Sequence, residues 1–177
     1  MQQYLAFLRG INVSGQKLIK MDDLRKVLTD AGFEDVRTYI QSGNILFNAL
    51  KADSELLIPR IEELLEKHFG FRTDVILRRK IDIESILNSL QISASQCEEV
   101  KKYYITFLKE EFPEPIGAPM FSKNQDVEII YHNNKDFVSI STLVKGNYGF
   151  PNVFIEKLTG IPATTRNPQT LRKILEL

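Results

Sequence analysis

The chain has 177 residues, 43% of them hydrophobic and none of them Trp, which suits one globular unit or two small subdomains sharing a core and excludes a disordered chain. Lysine plus arginine and aspartate plus glutamate both number 23, so any nucleic-acid binding needs a local basic patch rather than a general field. A single cysteine, Cys97, excludes an internal disulfide, and two histidines with no DxDxDG or HExxH spacing lead us to expect no metal and no cofactor.

The first residues, "MQQYLAFLRG", lack a charged n-region ahead of an apolar stretch, and no apolar run approaches the roughly 18 residues of a membrane span. A cytoplasmic protein without membrane association is expected. "YLAFLR" (4–9) reads as a buried strand, and 21–31 carries Leu24, Val27, Leu28 and Ala31 at helical spacing before Gly32. "VRTYIQ" (36–41) and "NILFNA" (44–49) are β-rich runs separated by Ser42 and Gly43, the signal for a hairpin. Residues 54–69 put Leu57, Ile61, Leu64, Leu65 and Phe69 on one helical stripe, with Pro59 tolerable only near the first turn, and "TDVILRR" (73–79) supplies a fourth strand. The order is βαββαβ, the ferredoxin-like split unit.

From about residue 82, "IDIESILNSL" reads as a short helix, and "SASQCEEV" as a polar connector whose acids disfavour the Cys97 thiolate. Strands follow at 102–108, 127–132 and 137–143, the last two joined by "HNNKD", while "EEFPEPIGAP" stands where a first helix would be. Pro151 opens a helix to Gly160, "ATT" is an edge strand, and Pro168 to Leu177 is a terminal helix. The expectation is an α+β protein of two ferredoxin-like subdomains, 1–92 and 93–177, the second an irregular copy of the first, plus a C-terminal helix. No sequence repeat marks the copy.

In a sheet of spatial order 4-1-3-2, the loop at 10–20 and the "QSGN" turn (41–44) share one edge, beside the end of the second helix at "HFGF". Arg9, Asn12, Lys17, Gln41, Ser42 and Asn44 are expected to converge there with backbone donors from Gly10, Gly15 and Gly43. Exposed N–H groups of a glycine-containing loop form a concave donor surface suited to an anion, and arginine adds planar recognition of carboxylate or phosphate. A second constellation, Lys145, Asn147, Tyr148, Thr165, Arg166 and Asn167, is expected in the second half, near the positive end of the terminal helix.

"LRGINVSGQKLIKM" is close to a nucleotide-binding GxxxxGK[ST] loop, but Gln16 separates Gly15 from Lys17, Leu18 follows the lysine, and Asp22 and Asp23 place negative charge at the helix start. The nucleotide reading is poor. Ser42 has no histidine with a predictable place beside it and no GxSxG setting, so no hydrolase triad is assigned, and the paired acids 22/23, 62/63 and 98/99 read as solvated faces. Alternation places Arg37, Tyr39 and Gln41 on one strand of the first sheet and Asp74, Ile76 and Arg78 on another. Basic residues interleaved with an aromatic suit RNA recognition by an open sheet face.

"YLAFLRGINVSGQKLIKMDDLR", "GFEDVRTYIQSGNILF" and "FIEKLTGIPATTRN" together resemble a widespread bacterial family of domains of unknown function with an LRGINVGG loop, a YIxSGN hairpin and an ATTRNW segment. The match takes in Leu8, Arg9, Gly10, Ile11, Asn12, Val13 and Gly15, then Tyr39, Ile40, Ser42, Gly43 and Asn44, then Thr164 to Asn167. Ser14 stands for a family glycine and Pro168 for the family tryptophan, which removes a stacking platform if relatives use one. The resemblance implies two ferredoxin-like α+β subdomains and no particular activity. Three readings follow: a small anionic ligand, phosphorylated or carboxylated, bound at the glycine-rich edge; a nucleic-acid partner on the sheet face; or loops that dock the two subdomains through Arg9, Asn44 and Arg166.

Overall fold

β1 (Gln2–Leu8) is apolar at successive positions rather than alternately, because it is the inner strand of a sheet covered on both faces. The computed structural model describes residues 1–13, 15–50, 54–89, 100–114 and 116–177. Ser14, Cys97 with most of its connector, and the expected 92/93 boundary lie outside the described residues. The chain forms two compact units, Met1–Ser89 with Arg172–Leu177, and Leu90–Leu171.

In the first unit β1 is followed by α1 (Met21–Asp30), β2 (Glu34–Tyr39), β3 (Asn44–Ala49), α2 (Ser54–Phe69), β4 (Val75–Arg79) and α3 (Lys80–Ser89). The strands pair antiparallel in the order β2-β3-β1-β4, the expected 4-1-3-2. Leu24 and Leu28 of α1 and Leu57, Ile61 and Leu65 of α2 lie at the spacing that stacks side chains on one helix face. They close over Tyr4, Ala6, Leu8, Ile45, Phe47 and Val75, and each fully buried aliphatic side chain contributes roughly 1.5–3 kcal/mol.

The opposite face of this sheet is closed as well. Leu5, Phe7, Leu46 and Ile76 are buried there, Arg78 is 7% exposed, and α3 packs on β1 and β4. Arg37 holds Asp35 through Nε–Oδ1 at 2.9 Å and Nη2–Oδ2 at 3.1 Å. Of the face expected to carry Arg37, Tyr39, Gln41, Asp74, Ile76 and Arg78, Ile76 and Arg78 are covered while Arg37 and Gln41 stay exposed on the β2 side, so the nucleic-acid reading loses the central part of its surface. α3 starts at Lys80, continuing directly from β4, with Arg79 Nε on Asp82 Oδ2 at 2.7 Å in its first turn.

The second unit runs β5 (Lys101–Leu108), β6 (Met120–Phe121), β7 (Val127–His132), β8 (Asp136–Val144), β9 (Asn147–Tyr148), α4 (Pro151–Thr159) and β10 (Ala163–Arg166); α5 (Pro168–Leu175) follows. Its sheet order is β10-β5-β8-β7-β6, with β9 pairing β8. The two-residue strands β6 and β9 are too short to produce a hydrophobic period and were not expected. Reading β5, β7, β8 and β10 as strands one to four gives 4-1-3-2 again, with the Pro-rich stretch in place of the first helix.

The two sheets are closed by the same bonds. Leu8 N–H donates to Gly43 O and Leu108 N–H to Lys135 O, both at 2.8 Å; Arg9 N–H donates to Asp74 O at 3.0 Å and Lys109 N–H to Pro162 O at 2.8 Å. Glu62 Oε1 accepts Val75 N–H at 3.0 Å, and Glu156 Oε1 accepts Ala163 N–H at 2.7 Å. In each unit a helix carboxylate thus satisfies the first amide of the outer strand, one that would otherwise be buried without a partner.

Candidate functional site

The chain leaves β1 at Arg9, whose backbone is held on both sides by the segment before β4. Its N–H donates to Asp74 O, and Thr73 Oγ1 donates to Arg9 O at 2.6 Å. The guanidinium is half exposed, with Nη1 3.8 Å from Asp74 Oδ2. Beyond it Gly10 (φ 69°) turns the chain away from the sheet, and Asn12 follows in the left-handed region at φ 53°, where asparagine is tolerated better than most residues.

Asn12 organises the loop. Its Oδ1 accepts Ile19 N–H at 2.8 Å, while Nδ2 donates to Ile19 O at 3.0 Å and to Gln41 O at 2.8 Å. Its own N–H donates to Lys17 O at 3.2 Å, and Gln16 N–H donates to Val13 O at 3.0 Å across the turn that contains Gly15 (φ 75°). Lys17, also left-handed at φ 48°, sends Nζ to Arg72 O at 2.7 Å and lies 5.8 Å from the centre of the Phe71 ring. The loop is thereby fastened both to the 41–44 turn and to the segment after α2, as the 4-1-3-2 order requires.

Across the turn, Asn44 is fully buried, and its Nδ2 donates to Tyr39 O at 3.1 Å and Ser42 Oγ at 2.8 Å. Gly43 has φ 72°, and a Cβ there would fall 2.7 Å from Leu8 Cβ and 2.9 Å from Ile11 Cδ1, so both backbone conformation and space demand glycine. Ile40 sits at φ 49°, a conformation strained for a β-branched residue, with its side chain exposed.

Arg9, Gly10, Asn12, Lys17, Gln41, Ser42, Gly43 and Asn44 are therefore brought to one rim of the first unit, with Gly15 at the outer turn of the loop. The amide of Asn12 is spent on the backbone around it, and that of Asn44 on Tyr39 O and Ser42 Oγ. Thr73 and the Arg72 carbonyl belong to the same rim; a backbone oxygen leaves no mark in a sequence, and nothing singled out Thr73. A hollow of about 360 Å³ lined by Glu84, Leu87, Asn88, Arg172, Leu175 and Glu176 lies elsewhere in the first unit and contains none of the expected site residues.

The second constellation divides between two ribbons. Lys145 (φ 50°) and Gly146 (φ 83°) are the consecutive left-handed pair of a tight hairpin between β8 and β9, and Tyr148 carries Lys102 Nζ 3.8 Å from its ring centre. At the end of β10, Arg166 Nη1 donates to Thr164 Oγ1 at 2.7 Å and Thr165 O at 2.9 Å, and burial pushes the guanidinium down to about 10. Thr165 Oγ1 meets Thr106 Oγ1 at 2.7 Å and Asn152 Oδ1 at 3.0 Å, while Asn167 Oδ1 accepts Thr170 N–H at 2.7 Å as the cap of α5.

A sequence profile described as "Protein of unknown function (DUF1697)" matches residues 1–137, which includes the whole first unit up to Ser89 and every residue of the rim. The chain belongs to the DUF1697 family. That match ends before "TTRN". A solved structure, described as that of a conserved bacterial protein, SP0830 from Streptococcus pneumoniae, is similar to this chain, 22% identical, with a TM-score of 0.65 over 99% of this chain and 97% of that one. At that identity the likeness concerns the fold alone. No curated protein matches the DUF1697 chain. Among the described residues no helix is long and apolar enough to cross a membrane.

Proposed function

We propose that the rim formed by the 9–19 loop, the 40–44 turn and the 71–74 segment binds a small anionic ligand, carboxylated or phosphorylated. Arg9, Lys17, Gln41 and Ser42 are the side chains that meet the ligand. Asn12, Asn44, Gly10, Gly15 and Gly43 shape the backbone that presents them. The observation that supports this most is Arg9 itself. Its backbone is pinned at both N–H and C=O, which fixes the place from which its half-exposed guanidinium reaches solvent. A planar fork carried on a fixed backbone suits an anion that offers two oxygens.

Lys145, Tyr148, Arg166 and Asn167 stay outside the proposal. The hairpin, the ring contact, the threonine bonds and the helix cap each account for the residue concerned. No catalytic role is assigned to any group.

The test is thermal unfolding in the presence of inorganic phosphate, pyrophosphate, citrate and short dicarboxylates. Binding at a hundredfold over Kd stabilises by about 2.7 kcal/mol. For a chain of this size that raises the midpoint by roughly 5–10 °C. Arg9→Ala removes the shift and Arg9→Lys keeps part of it. A panel that moves nothing, or a shift that Arg9→Ala retains, overturns the proposal.

A further inference from the structure

The same rim carries three exposed aliphatic side chains: Val13 at 58%, Leu18 at 68% and Ile40 at 54% of full exposure. Single exposed apolar residues are ordinary on any surface; a group of them on one feature is not. These three are grouped by Asn12. Val13 is its neighbour, Leu18 lies between the two residues whose backbones bond Asn12, and Ile40 precedes Gln41, which accepts from Asn12 Nδ2. The bonds that fasten the loop to the turn fix the aliphatic groups in place before anything binds, which lowers the ordering cost of an interface.

Charge identifies what covers them. Residues 9–20 contain Arg9, Lys17 and Lys20 and no acid, and the turn from Tyr39 to Asn44 carries no charge. Of the nearby acids, Asp74 faces Arg9, Glu66 holds Arg72 at 2.8 Å and Asp22 in the first turn of α1 pairs with Arg25, which leaves Asp23 as the acid next to Lys20 without an ion pair among the described residues. Lys17 and Lys20 are not ion-paired among the described residues. A surface of aliphatic groups flanked by such cations is complementary to a segment in which acidic residues flank aliphatic ones.

We propose that this rim docks an acidic segment of a partner protein, its carboxylates on Lys17, Lys20 and Arg9 and its aliphatic side chains on Val13, Leu18 and Ile40. The proposal rests on the reading of the rim as an anion site only in giving Arg9 a carboxylate to hold. A bilayer fits less well, because electrostatic anchoring to lipid draws on a larger basic cluster than two unneutralised lysines. The acidic stretch of a second copy, Glu110 to Glu114, fits less well too. Glu111 is paired with Lys135 at 3.3 Å, and Phe112 packs into its own core with its N–H on Asn134 O.

The experiment selects from a random-peptide phage library on the full chain and measures the enriched peptides, made synthetically with a fluorophore, by anisotropy. The variant is Leu18→Ser with Ile40→Asn, asparagine being tolerated at a left-handed position. Enriched peptides should place Asp or Glu beside Leu, Ile, Val or Met. Their affinity should fall at least about tenfold in the variant, as for removal of interface anchors, and should weaken with salt.

No enrichment, enrichment of neutral or basic peptides, or unchanged affinity in the variant overturns the proposal. So does finding that the variant instead abolishes co-sedimentation with phosphatidylglycerol vesicles or a self-association seen by ultracentrifugation. The thermal shift by phosphate or citrate separates the two readings, since it depends on Arg9 and not on Leu18 or Ile40. Its loss with peptide binding intact sinks the small-ligand proposal alone, and the reverse sinks this one alone.

Discussion

Asn12 Nδ2 donates to the carbonyl oxygen of Gln41 at 2.8 Å, a bond between residues 29 apart in sequence that joins the loop after β1 to the turn between β2 and β3. With its bonds to both backbone groups of Ile19, this one amide serves two segments, so its removal leaves three backbone groups looking for partners. Asn12→Ala should cost about 1–3 kcal/mol of unfolding free energy for the orphaned groups. Alanine at φ 53° adds about 1 kcal/mol that Asn12→Gly avoids. Urea titration of both variants checks the order, alanine worse than glycine, and hydrogen exchange should speed up at 40–44 as well as at 12–19. An Asn12→Ala protein as stable as the parent would show that the loop is not fastened this way.

Gly43 and Gly15 both have left-handed backbone, yet only Gly43 is crowded. A Cβ at Gly43 meets Leu8 and Ile11, whereas at Gly15 nothing lies within 4 Å. Gly15→Ala should lose roughly 1 kcal/mol from backbone strain alone. Gly43→Ala should lose a further 1–3 kcal/mol or so from overpacking. Equal losses in chemical denaturation would contradict the close approach of the turn to β1.

How much of this was legible depends on the link of the chain concerned. The order of elements in 1–89 and the meeting of the 10–20 loop with the 41–44 turn follow from hydrophobic period and from βαββαβ topology, and both are observed. Side-chain bonding does not follow from either. Asn12 and Asn44 read as donors for a ligand because nothing in a sequence shows that Ile19, Gln41, Tyr39 and Ser42 use them. The sheet face is covered at its centre, at Ile76 and Arg78, and the sequence carried a visible signal of that. Arg37, Tyr39 and Arg78 alternate as on an exposed face, but "YLAFL" is apolar at every position, and a central strand of that kind is covered on both sides. In the second constellation, "VKGN" read as part of a polar edge; Lys145 and Gly146 make it a hairpin of its own.

Glu62 and Glu156 were read only as surface acids or not singled out, yet each satisfies the first amide of an outer strand. Truncation of either to alanine should cost about 1–3 kcal/mol. Glutamine keeps an acceptor oxygen at the same place, so Glu62→Gln and Glu156→Gln should hold most of the stability. The comparison of alanine with glutamine in urea unfolding decides it: two equally damaged variants would point to charge rather than to the hydrogen bond.

Tyr104 gives a pH signature. Burial, with a smaller contribution from Tyr148, raises its phenol above the usual range near 10. Below that range both folded and unfolded chains are neutral there, and the group has no effect. As pH rises through it the unfolded chain loses a proton that the folded chain keeps, so stability falls with pH. Tyr104→Phe should therefore flatten the alkaline side of the stability profile, measured as the urea midpoint at increasing pH. Parallel profiles for the two proteins would rule this out.

The matched closures, Leu8 on Gly43 with Leu108 on Lys135, Arg9 on Asp74 with Lys109 on Pro162, and Glu62 on Val75 with Glu156 on Ala163, have a meaning for design and for descent. They hold a four-strand frame whether the first crossover is a loop and helix, as at 10–30, or a proline-rich sequence without a described helix, as between β5 and β6. The crossover is then cargo rather than chassis. It is the stretch that can be exchanged while the frame stays the same.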